Sequence, residues 1–243
     1  MNLLQFLGTV ELGMIFALVA LGVYLSFRVL DFPDLTADGS FPMGAAIAAT
    51  MIVAGINPWL APFVAFFGGT LAGIVTATLH VRFGILSLLA SILTMTALYS
   101  INLRIMGRPN IAMLYEETVF TPLETLLGDH LTAVLLFGFL TVFIVGFVVY
   151  KLLQSQFGLG IRATGANAVM AQAQGVKTKA MILLGVALSN GIIAVAGALF
   201  AQSQGFADVN MGVGTIIIGL ASVIIGEVIL PPRLVIFSII GCV

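Results

Sequence analysis

The sequence contains little charge and almost no cysteine. Only 8% of its 243 residues are charged, whereas a soluble domain carries about 25%, so a water-facing surface cannot be built from it. The single cysteine, Cys242, excludes an internal disulfide and a cysteine-based metal cluster. A net charge of −1 argues against a nucleic-acid partner.

Motifs for catalysis and for nucleotide binding are also missing. His80 and His130 lie far apart, without a metal-binding spacing such as H-E-x-x-H. No G-x-x-x-x-G-K-[ST] occurs, so the chain has no P-loop with which to bind ATP. Gly158–Ala163 fits G-x-G-x-x-A, but it follows a hydrophobic span instead of a strand, and we interpret the match as fortuitous. We predict a non-catalytic protein with no metal and no cofactor of its own.

Long hydrophobic runs dominate what remains. Residues are 60% hydrophobic, the mean hydropathy is +1.20, and a membrane span needs about 20 predominantly apolar residues. The first run, Leu12–Phe27, lacks the basic n-region of a signal peptide and is predicted to be a retained span. An eighth run begins after Arg233 and stops at Val243; it is either a re-entrant segment or, as we favour, an incomplete span. The seven full spans are predicted at residues 8–28, 41–56, 59–80, 84–103, 131–151, 180–202 and 211–230.

The predicted fold is therefore an all-α polytopic membrane protein with about eight transmembrane helices, the last incomplete, in a single domain over residues 1–243. Basic residues predict its orientation. With the spans counted alternately, only Arg104 and Arg108 fall on one side, which makes the other side cytoplasmic and the N-terminus external. Residues 104–130 then form an external loop and residues 151–180 a cytoplasmic loop. The basic residues on the cytoplasmic side are Arg28, Arg82, Lys151, Arg162, Lys177, Lys179 and Arg233.

Few ionisable residues lie inside the predicted spans. Glu11 and Glu227 are near span ends. Ion-coupled carriers place carboxylates or basic groups within the membrane as relays or ligands. We therefore expect the energy for any transport to come from elsewhere. The polar residues further inside the spans are neutral, such as Ser91, Asn102, Ser189 and Asn190.

A weak internal repeat relates the two halves of the chain. Gly13–Gly44 aligns with Met181–Gly212 at an offset of 168 and sets "FPMG" over "VNMG". The two copies lie five spans apart, an odd number, so they are predicted to run in opposite directions. Transporters built from such inverted repeats have interrupted helices at the repeat interface.

Asp31–Gly44, "DFPDLTADGSFPMG", has two interpretations. It is either a cytoplasmic loop between the first two spans or a break between helices inside the protein. In the second case Pro33 and Pro42 stop or start helices, Asp38-Gly39 turns the chain, and Ser40 caps the next span.

The repeat pairs this stretch with Phe200–Gly212, another polar segment before a span rich in small residues. Under the second interpretation, both segments flank one translocation pathway. The residues predicted to line it are Asp34, Asp38, Ser40, Phe41, Phe206, Asp208 and Asn210.

The segment Lys151–Lys179 contains a predicted short helix, "NAVMAQAQG". Asn167 is its N-cap and Gly175 its C-terminal stop. Val169 and Met170 either face a partner's groove or belong to a connector that lies along the membrane.

Two stretches resemble the membrane subunits of ABC importers in the branched-chain amino acid and ribose permease superfamily. "FGLGIRATGANAVMAQAQGV" resembles the family's cytoplasmic loop, where a G-x-x-x-RA-x-G-x-N segment leads into a short coupling helix. "DLTADGS" followed by "MGAAIAA" resembles the D-L-[ST]-x-[GD]-[GS] element of the second core span. The sequence "FPDLTADGSF" most resembles the tryptophan/tyrosine-type permeases. The positions matching the first motif are Gly158, Arg162, Ala163, Gly165, Asn167, Gly175 and Val176.

The resemblance implies an importer subunit in a bacterial plasma membrane, surrounded by lipid and paired as a homodimer. Separate cytoplasmic ATPase subunits would bind ATP, and an external substrate-binding protein would deliver a small amino-acid-like solute. A stand-alone secondary carrier or channel for a small neutral solute is the alternative. The residues implied to couple to the ATPase are Arg162, Ala163, Gly165, Asn167, Val169, Met170 and Gly175.

Overall fold

The computed structural model describes residues 3–114, 116–127 and 130–229 together with 239 and 241, and this part of the chain is almost entirely helical. The helices are α1 (Leu3–Val23), a π-helical turn (Tyr24–Val29), α2 (Ala37–Val53), α3 (Leu60–Phe83), α4 (Ser87–Met106), α5 (Thr121–Leu127), α6 (His130–Gln154), α7 (Gln156–Ala166), α8 (Ala168–Ala173), α9 (Thr178–Gln204) and α10 (Thr215–Ile229). Two short strands, β1 (Asn110–Ala112) and β2 (Phe206–Asp208), complete the described elements.

Five of these helices are long and apolar enough to cross a bilayer, and α2 and α10 are shorter apolar helices. These seven correspond to the seven predicted full spans and confirm the all-α polytopic fold. The predicted eighth span and Cys242 lie outside the described residues. The five long helices are Gln5–Val29, Leu60–Phe83, Ser87–Met106, Leu131–Gln154 and Thr178–Gln204.

Helix α9 is the centre of the bundle, because small residues let its neighbours approach its backbone. A Cβ added at Gly44 of α2 would overlap the carbonyl of Ala194, and one added at Gly69 of α3 would overlap the carbonyl of Asn190. Gly73, four residues after Gly69, meets α9 in the same way. This small-xxx-small spacing is typical of close helix packing in membranes.

The contacts fix the direction of each helix relative to α9. Helix α1 is antiparallel to it, since Gly22 lies against Ile193 whereas Leu30, just after the π-helical turn that continues α1, lies against Gly185. Helix α2 runs parallel to α9, since Ser40 lies at Asn190 and Gly44 at Ala194.

Helix α10 runs parallel to α1 and therefore opposite to α2. Gly219 packs against Val19 and Val23, and Glu227 pairs with Arg28 near the end of the first span. The units α1–α2 and α9–α10 are thus inverted relative to each other, in agreement with the sequence prediction.

Both short helices begin near the middle of the bundle. Ser40, in the first turn of α2, lies beside Asn190, the thirteenth of the 27 residues of α9. Gly212, just before α10, packs against Asp38 and Pro42. At 1.5 Å per residue, α9 is about 40 Å long, so α2 and α10 both start near its mid-depth.

The segment 30–36 is therefore a break inside the protein and not a surface loop. Seven residues reach at most about 23 Å, enough to return the chain from the end of α1 to mid-depth. Asp34 and Thr36 are 1% and 0% exposed. Irregular backbone at this depth is tolerated because protein surrounds it.

The predicted details of the break were partly wrong. Helix α2 begins at Ala37, four residues before the predicted start, so Asp38-Gly39 is not a turn and Ser40 is not a cap. Backbone bonds from Gly39 and Ser40 to the Thr36 carbonyl start the helix earlier.

The register of the predicted repeat was wrong as well. The first helices of the two units, α1 with its π-helical turn and α9, end at residues 29 and 204, an offset of 175. The second helices begin at residues 37 and 215, an offset of 178. Spans composed of small apolar residues align almost equally well at several offsets, so 168 was not distinguished from the observed values.

The two ends of the bundle differ in structure. At the end where α3 stops and α9 starts, the predicted cytoplasmic loop 151–180 contains α7 and α8. We call this end the basic face, because Arg82, Lys151 and Lys177 lie there. At the opposite face β1 and β2 form an antiparallel ladder with Ile111 opposite Ala207, which the sequence did not predict.

Close packing at α9 predicts that Gly44→Ala destabilises the protein by about 1–3 kcal/mol, because the added methyl overlaps the α9 backbone. Gly13→Ala in α1 is the matched control, since nothing lies within 4 Å of its added Cβ. Denaturant unfolding in detergent micelles measures both variants. Equal free energies of unfolding for the two variants would contradict the packing described here.

Candidate functional site

A buried hydrogen-bond network joins the break to α9. Asp34 Oδ1 accepts from the Thr36 backbone N–H at 2.9 Å, and Asp34 Oδ2 accepts from Asn190 Nδ2 at 2.6 Å. The Ser40 hydroxyl donates to Asn190 Oδ1 at 2.7 Å. The amide of Asn190 thus donates to a carboxylate and accepts from a hydroxyl, and all four residues are at most 1% exposed.

The same region is bonded to α3 and α4. The hydroxyls of Thr36 and Thr76 lie 2.8 Å apart, and Asn102 Nδ2 donates to the Gly39 carbonyl at 3.2 Å. Helices α2, α3, α4 and α9 therefore meet at one set of buried polar groups. We call this set the polar node: Asp34, Thr36, Ser40, Thr76, Asn102 and Asn190.

Asp38 makes a second connection, from α2 to α10. Its Oδ1 accepts from the Thr215 hydroxyl and the Ile216 N–H, both at 2.9 Å, and its Oδ2 accepts from the Gly214 N–H at 3.2 Å. The Asp38 side chain of α2 thus caps the N-terminus of α10. The carboxylate lies between two helix N-termini, whose partial positive charges stabilise it.

Asp38 is only partly buried, although it lies at mid-depth. Around its donors, Asn210 is exposed, and Val213 and Ile217 are 76% and 69% exposed. A carboxylate facing lipid at this depth is strongly unfavourable. The surface formed by Asp38, Asn210, Val213 and Ile217, the Asp38 face, is therefore suited to contact protein or water and not lipid.

The predicted pathway residues fall into three places. Asp34 and Ser40 belong to the buried node, and Asp38 lies at its exposed edge. Phe41 is fully buried. Its ring lies 6.1 Å from that of Phe16 and 5.5 Å from that of Phe200, between centroids.

The other three predicted residues lie at or just after the β-ladder. Asp208 accepts from Asn110 Nδ2 at 3.3 Å and from the Asn210 backbone N–H at 2.7 Å. Phe206 is 39% exposed. These residues thus shape the turn that leads from the opposite face down to α10.

The short helix predicted after Asn167 is present as α8, and its role in coupling to an ATPase stays a prediction. Asn167 ends α7, and its Oδ1 caps α8 by accepting from the Met170 N–H at 3.0 Å. Gly175, just after α8, has a φ of +87°. Val169 is 80% exposed and Met170 61% exposed.

The remaining predicted coupling residues lie on α7. Arg162 and Ala163 are exposed. Gly165 faces inward, where an added Cβ would overlap the carbonyl of Val29 in the π-helical turn. This contact links α7 directly to the end of the first span.

Some partners were not foreseen from the sequence. Asn102 and Asn190 were noted only as neutral polar residues within spans. The hydrogen bond from the Thr215 hydroxyl to Asp38 and the Arg28–Glu227 ion pair at 2.5 Å were also missed. One signal in the sequence could have found them: an amide side chain inside a membrane span needs a hydrogen-bond partner. Within the described part of the chain, no group of three or more His, Cys, Asp or Glu is placed to hold a metal ion.

Comparisons with known proteins give permeases. The family model described as "Branched-chain amino acid transport system / permease component" matches residues 5–243. A tyrosine transport system permease protein of Clostridioides difficile is 43% identical over 214 residues, 88% of this chain and 70% of that protein. An uncharacterized protein of Rickettsia prowazekii is 36% identical over 227 residues, 93% of this chain and 78% of its own length.

A more distant relative is the autoinducer 2 import system permease protein of Escherichia coli. It is 27% identical over 230 residues, 92% of this chain and 66% of that protein. No solved structure matches the chain.

The polar node predicts that Asn190→Ala destabilises the fold by about 2–3 kcal/mol, because it removes one of the two hydrogen bonds to the buried Asp34 carboxyl and the acceptor of the Ser40 hydroxyl. Asn110→Ala is the control, since Asn110 also bonds an aspartate but is exposed, and we expect a change within about 0.5 kcal/mol. Denaturant unfolding in micelles measures both. Similar small effects of the two substitutions would contradict a structural role for the node.

Proposed function

Because the chain belongs to the branched-chain amino acid transport system permease family, we propose that it is the membrane subunit of an ATP-driven importer of a small amino-acid-like solute. As a permease component it is a multi-pass membrane protein and a non-catalytic transport subunit. ATP hydrolysis in this proposal takes place on cytoplasmic partner subunits, and an external binding protein delivers the solute at the bacterial plasma membrane.

The observation that carries this proposal is the exposed coupling helix. Helix α8 is capped by Asn167 and presents Val169 and Met170 to solvent at the basic face. An exposed apolar pair on a short, rigid helix suits the groove of a protein partner. The chain has no P-loop of its own, so an ATPase that binds here supplies the energy.

The orientation of the protein in the membrane follows from the basic residues at the basic face. Basic residues collect on the cytoplasmic side of membrane proteins, so we place α7 and α8 in the cytoplasm and the N-terminus outside. The opposite face then receives the external binding protein. A cavity of about 730 Å³ opens there, and its lining includes Trp59, Glu116 and Glu117.

We place the translocation route along the Asp38 face, between two copies of the chain. A partly exposed carboxylate at mid-depth calls for protein or water against it, and a second copy with a water-filled route between them supplies both. The buried residues Asp34, Ser40 and Phe41 then support the route from behind instead of lining it.

The proposed solute is an amino acid or a similar small molecule. The tyrosine transport permease of Clostridioides difficile supports this class. The alternative function is a stand-alone secondary carrier or channel. The two mid-depth carboxylates do not favour an ion-coupled carrier, because Asp34 is hydrogen-bonded to Thr36 and Asn190 and Asp38 is hydrogen-bonded to the start of α10.

The coupling assignment predicts that Met170→Pro abolishes ATP-driven uptake and co-purification of the ATPase subunit. Proline removes the N–H that Asn167 caps, and so opens the first turn of α8. Met170→Ala keeps that N–H and serves as the control, with at most a several-fold loss. Affinity purification of the assembled complex followed by uptake in proteoliposomes measures both.

If Met170→Pro assembles and transports as the unaltered protein does, α8 is not the coupling helix. If no P-loop ATPase co-purifies with the unaltered chain, the importer proposal itself fails.

If the translocation route runs along the Asp38 face, water must reach the residues of that face. Cysteines introduced singly at Asn210 and Val213, in a Cys242→Ser background, are expected to react with a membrane-impermeant thiol reagent at a rate that nucleotide changes at least several-fold. A cysteine at Phe143 of α6, an exposed apolar position, is the lipid-facing control and should stay unreactive. Equal labelling at all three sites, indifferent to nucleotide, would place the route elsewhere.

A further inference from the structure

The last turn of the first span is built differently from the rest. Between Tyr24 and Val29 the helix widens to a π-helical turn. The Leu30 N–H bonds to the Leu25 carbonyl at 3.1 Å, and the Phe32 N–H bonds to the Ser26 carbonyl at 2.9 Å. Single π-helical turns contain one extra residue and occur frequently at functional sites.

The backbone immediately after this turn is strained. Asp31 has a φ of +54°, and among the residues that the structure describes no other non-glycine residue has a positive φ. Aspartate tolerates this left-handed region better than most residues, but at a cost. Strain of this kind persists where the surrounding contacts hold the backbone in place.

Those contacts come from α7. A Cβ at Gly165 would overlap the Val29 carbonyl. The Leu30 side chain lies at Gly185 of α9, where an added Cβ would be 3.0 Å from Leu30 Cδ2 and 3.6 Å from Ile161 Cγ2. Helix α7 therefore rests on the end of the π-helical turn without a gap.

Helices α7 and α8 form one unit. Asn167 is at once the last cap of α7 and the N-cap of α8. At its other end α7 is held by the Ser155 cap, which accepts from the Gly158 N–H at 3.3 Å. A force applied to Val169 and Met170 on α8 is thus transmitted to Gly165 on α7.

Beyond Asp31, the chain enters the polar node at Asp34 and reaches Asp38 four residues later. A second connection runs from the π-helical turn to α10, because Arg28 in the turn pairs with Glu227 near the end of α10. The π-helical turn therefore contacts α7 on one side and α10 on the other, and the segment 30–36 connects it to α2.

Building on the proposed importer function, we propose that the π-helical turn with Asp31 is the hinge that carries movement of α7–α8 to the Asp38 face. When α7 shifts, the turn exchanges its π bonds for α bonds, and its extra residue passes into the segment 30–36. The lengthened segment changes the position of α2 relative to α10, and Gly165 is the positioning residue that keeps α7 in register with the turn.

The test compares Gly165→Ala with Gly160→Ala, both on α7. The methyl at position 165 meets rigid backbone, whereas at position 160 it meets only the flexible side chain of Met181, at 2.9 Å from its Sδ. The reporter is nucleotide-dependent labelling of a cysteine at Val213 in the Cys242→Ser background, measured together with ATPase co-purification and ATP hydrolysis.

In the fraction of Gly165→Ala that co-purifies with the ATPase subunit, we expect the nucleotide dependence of labelling to disappear and uptake to fall at least tenfold. Gly160→Ala should match the unaltered protein. If labelling in Gly165→Ala still responds fully to nucleotide, the hinge proposal is overturned. The importer function would stand in that case, because it is tested separately, by co-purification of an ATPase with the unaltered chain.

A second pair of variants covers the case in which Gly165→Ala does not assemble. Asp31→Gly removes the strain without adding volume, and Asp31→Asn keeps a residue that tolerates positive φ. Asp31→Gly should reduce the nucleotide response of labelling several-fold with ATP hydrolysis retained, and Asp31→Asn should preserve the response. Identical responses in these two variants would also overturn the hinge.

Discussion

The carboxylate of Asp38 joins two helices that both begin at mid-depth. A helix N-terminus exposes four N–H groups without intrahelical partners, and in a bilayer no water is available to satisfy them. Asp38 accepts two backbone N–H groups and one hydroxyl from the start of α10 while itself lying in the first turn of α2. This one side chain therefore satisfies the start of α10 inside the membrane and joins it to the first turn of α2.

Close packing around α9 brings the other polar groups within reach. Because Gly44, Gly69 and Gly73 allow α2 and α3 to touch the α9 backbone, Asn190 can bond Asp34 and Ser40 at the same time. The node is thus a product of tertiary packing, and it connects the break to four helices. The node is linked to α7 through the π-helical turn. In the proposed importer, movement of the ATPase partner reaches the middle of the bundle through this link.

The sequence predicts features that depend on residues close together along the chain and misses those that depend on distant residues. Spans of about 20 apolar residues are a local property, so the seven full spans were found, and the α8 cap was found because Asn167 and Met170 are three residues apart. The start of α2 was wrong because the "ADGS" stretch fits a turn with a cap as well as a first helical turn. Residues far along the chain, such as Asn190 and Thr215, decide between them. The three-residue β-ladder and the π-helical turn left no pattern in the sequence, since both are set by contacts with distant segments.

We propose that this permease draws its energy from ATP bound by a partner and not from an ion gradient. The direct measurement is uptake of radiolabelled tyrosine into proteoliposomes that contain the chain, its co-purifying ATPase and the external binding protein. We predict that uptake requires ATP on the side of the basic face and continues when all ion gradients are collapsed. Uptake by the chain alone, driven by a proton or sodium gradient and indifferent to ATP, would contradict it.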